Sequence, residues 1–256
     1  MLKQKNITVS IVLYKEDVKE LQKAINSVLN NKDVKKLYLI DNSPTNIIES
    51  HFIQKEIEYI FVGKNLGFGA GHNLILDKIK NLSEYHLILN PDASFNPEIL
   101  NELVNQLEEN KELTLIAPKV LFPNGNFQNS CRRYPKFSEM FFRRFPLSKK
   151  LSKSIVGKGI YSDKNLQESF YAEYMTGCFH LYKTEDFIAL NGFDERYFLY
   201  MEDVDICRKI DKLGKKKMYY PNVAIEHVLK QKSANDTLLF IRHIISMIKY
   251  YKKWGF

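Results

Sequence analysis

No run of apolar residues in this 256-residue chain is long enough to cross a bilayer, which takes about 20. Cysteine is scarce: Cys131, Cys178 and Cys207 stand apart, without metal-ligand spacing or evident partners. That excludes a disulfide framework and points to a reducing compartment. Met1 to Asn6 is polar, and Thr8 and Ser10 interrupt the apolar run Ile7–Leu13, which is too short for a secretory signal. The expected location is cytoplasmic. There is no internal repeat and no low-complexity linker. After the first apolar run, Tyr14-Lys15-Glu16-Asp17 carries no dinucleotide fingerprint, which argues against a Rossmann oxidoreductase.

What is present is a hydrophobic fraction of 45%, ample for a core, and a net charge of +8. The size fits one large domain, or one domain with an appended piece. The basic residues interleave with aromatics: Arg132-Arg133, Arg143-Arg144 and Lys149-Lys150 among Tyr134, Phe137, Phe141, Phe142 and Phe145. The C-terminus repeats the theme, with Arg242, Lys249, Lys252 and Lys253 against Leu239, Ile244, Ile245, Ile248 and Trp254. Such a helix suits an anionic lipid surface better than nucleic acid, and a basic helix packed on the domain is the plainer alternative.

Strand and helix patterns alternate through the first half. Ile7–Leu13, Leu37–Ile40, Tyr59–Val62, His86–Leu89 and Leu115–Leu121 read as strands. Val18–Leu29, a polar segment from about Ile47, Phe68–Ile79 and Pro97–Glu109 (capped by Asn96) read as helices. The βαβα order predicts an α/β fold with a mostly parallel sheet covered on both faces. Beyond Leu121, Asn124-Gly125 marks a hairpin, Tyr174–Tyr182 reads as a strand, and helices follow at Thr184–Leu190 and Asp203–Leu213. A strand at Met218–Tyr220 and a turn at Pro221-Asn222 precede His227.

Two acidic stations carry the chemistry. Leu89-Asn90-Pro91-Asp92 follows a buried strand, where open α/β sheets bind ligands. Met201-Glu202-Asp203-Val204-Asp205 opens a helix with clustered carboxylates, material for a general base. Each has a plainer explanation, an Asx-Pro turn in the first case and dipole partners in the second. A glycine-rich loop, Gly63 to Asn73, follows a strand and opens a helix, so its amides can face a phosphate.

These motifs occur together in order, with Asp41-Asn42-Ser43 and Asn191-Gly192-Phe193-Asp194-Glu195. From Ile7 to about Ser233 the chain resembles glycosyltransferase family 2, most of all its rhamnosyltransferase-type members. The resemblance implies a GT-A-type domain over residues 1–235, with a nucleotide-sugar half to about 121, an acceptor half from 122, and a basic amphipathic helix at 236–256. It implies an inverting, metal-dependent sugar transfer from a nucleotide-sugar donor, dTDP-L-rhamnose first and a UDP-hexose second, to an oligosaccharide or lipid-linked glycan. Asp41 would accept a hydrogen bond from the ring N–H of uracil or thymine, and Lys64, Asn65 and Asn73 would line or hold the nucleotide pocket. Asn90 stands where many relatives carry an acid. Asp92 and His227 would hold Mg2+ or Mn2+ with donor oxygens and water, His227 at the family's spacing to Ser233. Asp203 would be the base, with Glu202 binding acceptor hydroxyls or orienting it. No nucleic acid is expected as a partner.

Overall fold

The structure is a computed structural model and describes residues 5–136, 159–229 and 237–255. The basic, aromatic stretch from Phe137 through Lys150 and the family-spaced Ser233 lie outside the described residues.

Alternation sets the first strand. In β1 (Ile7–Leu13), Ile7, Val9, Ile11 and Leu13 are fully buried on one face, while Thr8 and Ser10 are buried on the other. Asp17 caps α1 (Val18–Leu29) by accepting from the amides of Lys19 and Glu20, and Leu21, Ala24, Ile25 and Val28 form its buried stripe. β2 (Val34–Asp41) and β3 (Ile57–Phe61) extend the parallel sheet. The helix expected from about Ile47 is a single 3₁₀ turn, Glu49–His51. Ile47 and Ile53 around it are exposed, so no apolar face rewards a longer helix.

The helix expected over Phe68–Ile79 is two pieces, α2 (Phe68–Asn73) and α3 (Leu76–Ile79). Ile75 leaves helical geometry at φ −107°, ψ 4°, after a turn already weakened by Gly69 and Gly71. β4 (Tyr85–Leu89) and β5 (Ala93–Phe95) bracket the first acidic station. Asn96 accepts from the Glu98 amide ahead of α4 (Ile99–Glu109), which starts two residues later than the sequence predicts. β6 (Leu113–Leu121) and β7 (Phe127–Gln128) form the hairpin expected around Asn124-Gly125.

Short strands β8 (Cys131–Arg132), β9 (Phe170–Tyr171) and β10 (Tyr174–Met175) follow, with β8 and β10 paired in a small ribbon. The strand predicted over Tyr174–Tyr182 is therefore split: β10 ends at Met175, and β11 (Phe179–Lys183) enters the main sheet. The backbone between them is diverted, with Thr176 N–H donating to the Ser130 carbonyl and the Cys178 carbonyl accepting from Asn90 N–H. Then come α5 (Thr184–Ala189), α6 (Glu202–Lys212) and β12 (Lys216–His227). Pro221 does not end β12; a register shift between Tyr220 and Ala224 absorbs it.

The main sheet runs β3-β2-β1-β4-β11-β6-β12-β5, with β11 antiparallel to β4 and β6. α1 and α4 cover one face; α3, α5 and α6 cover the other. β1 sits where the order reverses, with β2 on one side and β4 on the other, so its C-terminal end opens a crevice. Beneath it, buried Thr8 and Ser10 are hydrogen-bonded to His86, and Ser10 also to His72. Burial lowers the pKa of both histidines, that of His86 to about 3, so the rings stay neutral.

α7 (Thr237–Trp254) returns to the domain and buries Ser246, Tyr250 and Tyr251 beside Tyr197, Met201 and Val204. Its anchor is Asp205, fully buried on α6. That carboxylate accepts from Tyr197 Oη at 3.1 Å, Lys253 Nζ at 2.9 Å and Trp254 Nε1 at 2.7 Å. Asp205 thus turns away from Glu202 and Asp203 to hold the C-terminal helix. Asp205→Ala is expected to lose about 2–4 kcal/mol of stability, because it leaves Tyr197 Oη and Trp254 Nε1 without an acceptor and Lys253 with Asp194 alone. Equilibrium urea unfolding measures this, and a loss below about 1 kcal/mol would mean α7 is held by apolar packing alone.

Candidate active site

A cleft of about 580 Å³ opens at the C-terminal ends of β1, β2 and β4. Val12 and Tyr14, Asn42, and Asn90-Pro91-Asp92 form its floor, and Asn65, Gly67 and Phe68 one wall. Gly67 is required where it stands: φ is +89°, and a Cβ there would lie 2.0 Å from the Phe198 carbonyl oxygen. That carbonyl accepts from Phe68 N–H at 3.2 Å, which locks the glycine loop to the 198–200 segment.

The first station meets the end of β12. His227 Nε2 lies 3.2 Å from Asp92 Oδ1 and 3.2 Å from Asn90 Nδ2. On its other side, His227 Nδ1 is 2.8 Å from Gln128 Oε1, while Gln128 Nε2 donates to the His227 carbonyl. The glutamine amide is thereby oriented to accept from Nδ1–H, and Nε2 faces Asp92 and Asn90 in the cleft. The donor set of imidazole nitrogen and carboxylate oxygen fits a divalent cation that draws its remaining ligands from a substrate and water. Among the described residues no group of three or more His, Cys, Asp or Glu could enclose a metal by itself.

The second station is set by strain. Tyr200 (φ 68°) and Met201 (φ 71°) are both left-handed, and the packing of Met201 in the α7 cluster holds them so. The turn they make starts α6 with Glu202 and Asp203. Asp203 Oδ2 accepts from Gly177 N–H at 3.3 Å, and Oδ1 from Val204 N–H at 2.8 Å. Burial raises the pKa of both carboxyls, and Asp203 adds to the effect on Glu202, whose Oε2 is buried with no hydrogen-bond partner among the described residues. The stations meet at the link 177–178, where Gly177 N–H donates to Asp203 and the Cys178 carbonyl accepts from Asn90 N–H. Burial pushes the Cys178 thiol pKa up to about 12.

The remaining sequence-named residues divide. Asn65 reaches the cleft and accepts from Gly67 N–H at 2.9 Å. Asp41, fully buried, ends β2 beside a side pocket of about 370 Å³ lined by Lys15, Ser43 and Ile48. Its oxygens already accept from Ser43 N–H and Tyr59 Oη. Lys64 is exposed and outside the residues lining the cleft. Asn73 is a clamp: its amide donates to the Phe193 carbonyl at 2.9 Å and accepts from Phe193 N–H at 2.9 Å, tying α2 to the loop before α6. Gln128 and Gly177 were missed by sequence reasoning, being far in sequence from either station; Phe198, three residues before Met201, carries no chemical signal of its own, and Arg242 was read as a lipid-surface group.

Residues 8–188 match the sequence model of glycosyl transferase family 2. The chain belongs to that family. Among curated proteins it is 28% identical over 203 residues to rhamnosyltransferase WbbL of Escherichia coli strain K12, covering 76% of this chain and 73% of that one. It is 23% identical over 218 residues to the N-acetylglucosaminyl-diphospho-decaprenol L-rhamnosyltransferase of Mycobacterium tuberculosis, covering 77% and 68%. Among solved structures, GalNAc-T7 with UDP, GalNAc and Mn2+ superposes with a TM-score of 0.74 at 16% identity. That superposition covers 98% of this chain, which spans 49% of the other. The chain is a glycosyltransferase with a GT-A fold, and its sheet is mixed only through β5, β7, β9 and β11.

Glu202 makes the site's stability pH-dependent. Its folded pKa lies above the 4.5 of an unburied glutamate, so the folded state keeps the proton longer. Stability is then intact at low pH and declines as pH rises from the ordinary carboxylate range toward the folded value. Glu202→Gln is expected to flatten that decline, which thermal midpoints at about pH 5 and about pH 8 would show. An equal slope in wild type and variant would mean that Glu202 is ionised throughout.

Proposed function

We propose that the chain is an inverting glycosyltransferase in which Asp203 is the general base. The observation that carries this is that adjacent residues hold both stations, the Cys178 carbonyl accepting from Asn90 N–H beside Asp92 and His227, and Gly177 N–H donating to Asp203, one station suited to a metal diphosphate and the other to a hydroxyl. Asp203 takes the proton of an acceptor hydroxyl. The oxygen forms a bond to the anomeric carbon as the bond to the donor phosphate breaks, and the nucleoside diphosphate leaves. A pKa raised toward the working range makes Asp203 a better proton acceptor than an exposed aspartate. Mg2+ or Mn2+ held by Asp92 and His227 would offset charge on the departing diphosphate. Asn90 orients His227, and Asp41 and Asn65 serve the nucleotide. Glu202 binds acceptor hydroxyls or orients Asp203. Asn73 and Lys64 contribute through the loop they belong to.

The donor we favour is dTDP-L-rhamnose, since two curated relatives are named rhamnosyltransferases. A UDP-hexose is the second reading, favoured by a hexosyltransferase of Haloferax volcanii at 26% identity. The acceptor is a lipid-linked glycan, and the name of the mycobacterial relative supports it. Purified protein assayed against a panel of nucleotide sugars, with Mg2+, with Mn2+ and with chelator, tests the reading. Asp203→Asn is expected to keep donor binding and lose transfer by about 10²–10⁴-fold. Near-normal turnover in that variant would remove Asp203 from the mechanism.

A membrane surface fits the outer face of α7. Ile241, Ile244, Ile245 and Ile248 are all exposed along it, with exposed Lys252 toward its end. No helix among the described residues is long and apolar enough to cross a membrane, so this face would lie on one. Replacing Ile241, Ile245 and Ile248 by Ser is expected to leave the fold intact and abolish flotation with anionic vesicles. Undiminished flotation would exclude this face as the contact.

A further inference from the structure

We propose that Arg242 binds the diphosphate of the nucleotide donor. The inference rests on the glycosyltransferase reading above and adds to it a residue on α7, an element with no part in the sequence motifs.

The evidence starts from charge. Among the described residues lining the cleft, Glu16 and Asp92 are acids and Arg242 is the basic side chain. A divalent cation held by Asp92 keeps one net positive charge, against about two to three negative charges on a leaving nucleoside diphosphate. A second cation in the cleft is what that leaving group lacks, and Arg242 supplies it.

Geometry points the same way. The Arg242 guanidinium lies 3.9 Å from the centroid of the Phe198 ring. Stacking uses the face of the guanidinium and leaves its N–H edges available. Among the described residues those edges have no carboxylate or carbonyl partner. Phe198 is itself fixed, because its carbonyl receives Phe68 N–H and blocks any side chain at Gly67. The arginine therefore stands on a platform bolted to the glycine loop. Leu238, Leu239 and Arg242 come from one turn of α7 and face the cleft together, while Lys253 and Trp254 pin the far end of the helix to Asp205. A planar, permanently charged fork with unpaired edges is the side chain that takes two phosphate oxygens at once.

The test is titration calorimetry of the full chain with dTDP, UDP, the matching monophosphates and geranyl diphosphate, in Mg2+. Arg242→Gln is expected to raise the Kd for the better nucleoside diphosphate at least about tenfold, as loss of a charge-assisted pair does. The monophosphate should change far less, and Arg242→Lys should fall between. An equal loss for monophosphate and diphosphate would show a structural role and overturn the proposal, as would unchanged diphosphate binding. A loss confined to geranyl diphosphate would give Arg242 to a lipid-linked acceptor and also overturn it. Wild type that binds neither dTDP nor UDP would instead fail the glycosyltransferase reading. Should the glutamine variant not fold, arginine modification by phenylglyoxal in wild type decides. Protection of Arg242 by the nucleoside diphosphate supports the assignment, and equal modification overturns it.

Discussion

The site depends on three residues of backbone, Thr176 to Cys178, that decline to form a strand. Had β10 run straight into β11, their amides and carbonyls would have been spent on sheet ladders. Instead the Cys178 carbonyl holds Asn90 and the Gly177 amide holds Asp203. One short link thereby fixes the distance between the station that suits a metal diphosphate and the station that suits a base. Gly177 fits because a Cβ there would already be 3.4 Å from the Phe68 ring and 3.6 Å from Asp203 Cβ, with little room for anything larger.

Holding carboxyls in that position is costly, and the cost is spread across the fold. Glu202 is buried and Asp203 part-buried at the start of α6, behind two left-handed residues, Tyr200 and Met201. Neither helix propensity nor capping explains that arrangement, since Met201 makes no side-chain cap. What over-determines it is the cluster of Met201, Val204, Tyr197, Tyr250 and Tyr251, together with Asp205 bonded to Lys253 and Trp254. The helix that reads in sequence as an appendage is thus part of what keeps Asp203 in place.

What was legible follows from how local each signal is. The alternation of β1, the capped stripe of α1, the apolar run of β4 and the Asn-Gly hairpin are set by neighbours in sequence, and they appear as expected. The acidic stations were legible because the order of several motifs identifies the family. The illegible parts answer to distant partners. α2 and α3 separate where Asn73 is tied to Phe193, 120 residues on. β12 continues past Pro221 because a bulge shifts its register against β6. Gln128 orients His227 across 99 residues, and nothing in the Gln128 neighbourhood of the sequence marks it as special. Asp205 looked like a third carboxylate of the site until its partners on α7 were in place.

The charge of the chain can now be placed. A net +8 invites a reading as a diffuse attraction to anions, yet several described basic groups near the site are individually committed. Lys253 serves Asp205 and Asp194, Lys209 donates to the Gly192 carbonyl, and Arg196 is held by Asp194. Arg242 is instead stacked on a ring with its donors facing the cleft. α7 therefore divides its surface three ways: aromatic residues and Lys253 toward α6, Leu238, Leu239 and Arg242 toward the cleft, and an isoleucine-rich row toward solvent. One helix therefore sets an apolar row beside the cleft-lining Leu239 and Arg242, and the lipid-linked acceptor proposed above, with an apolar tail and a sugar head, would engage both of those faces at once.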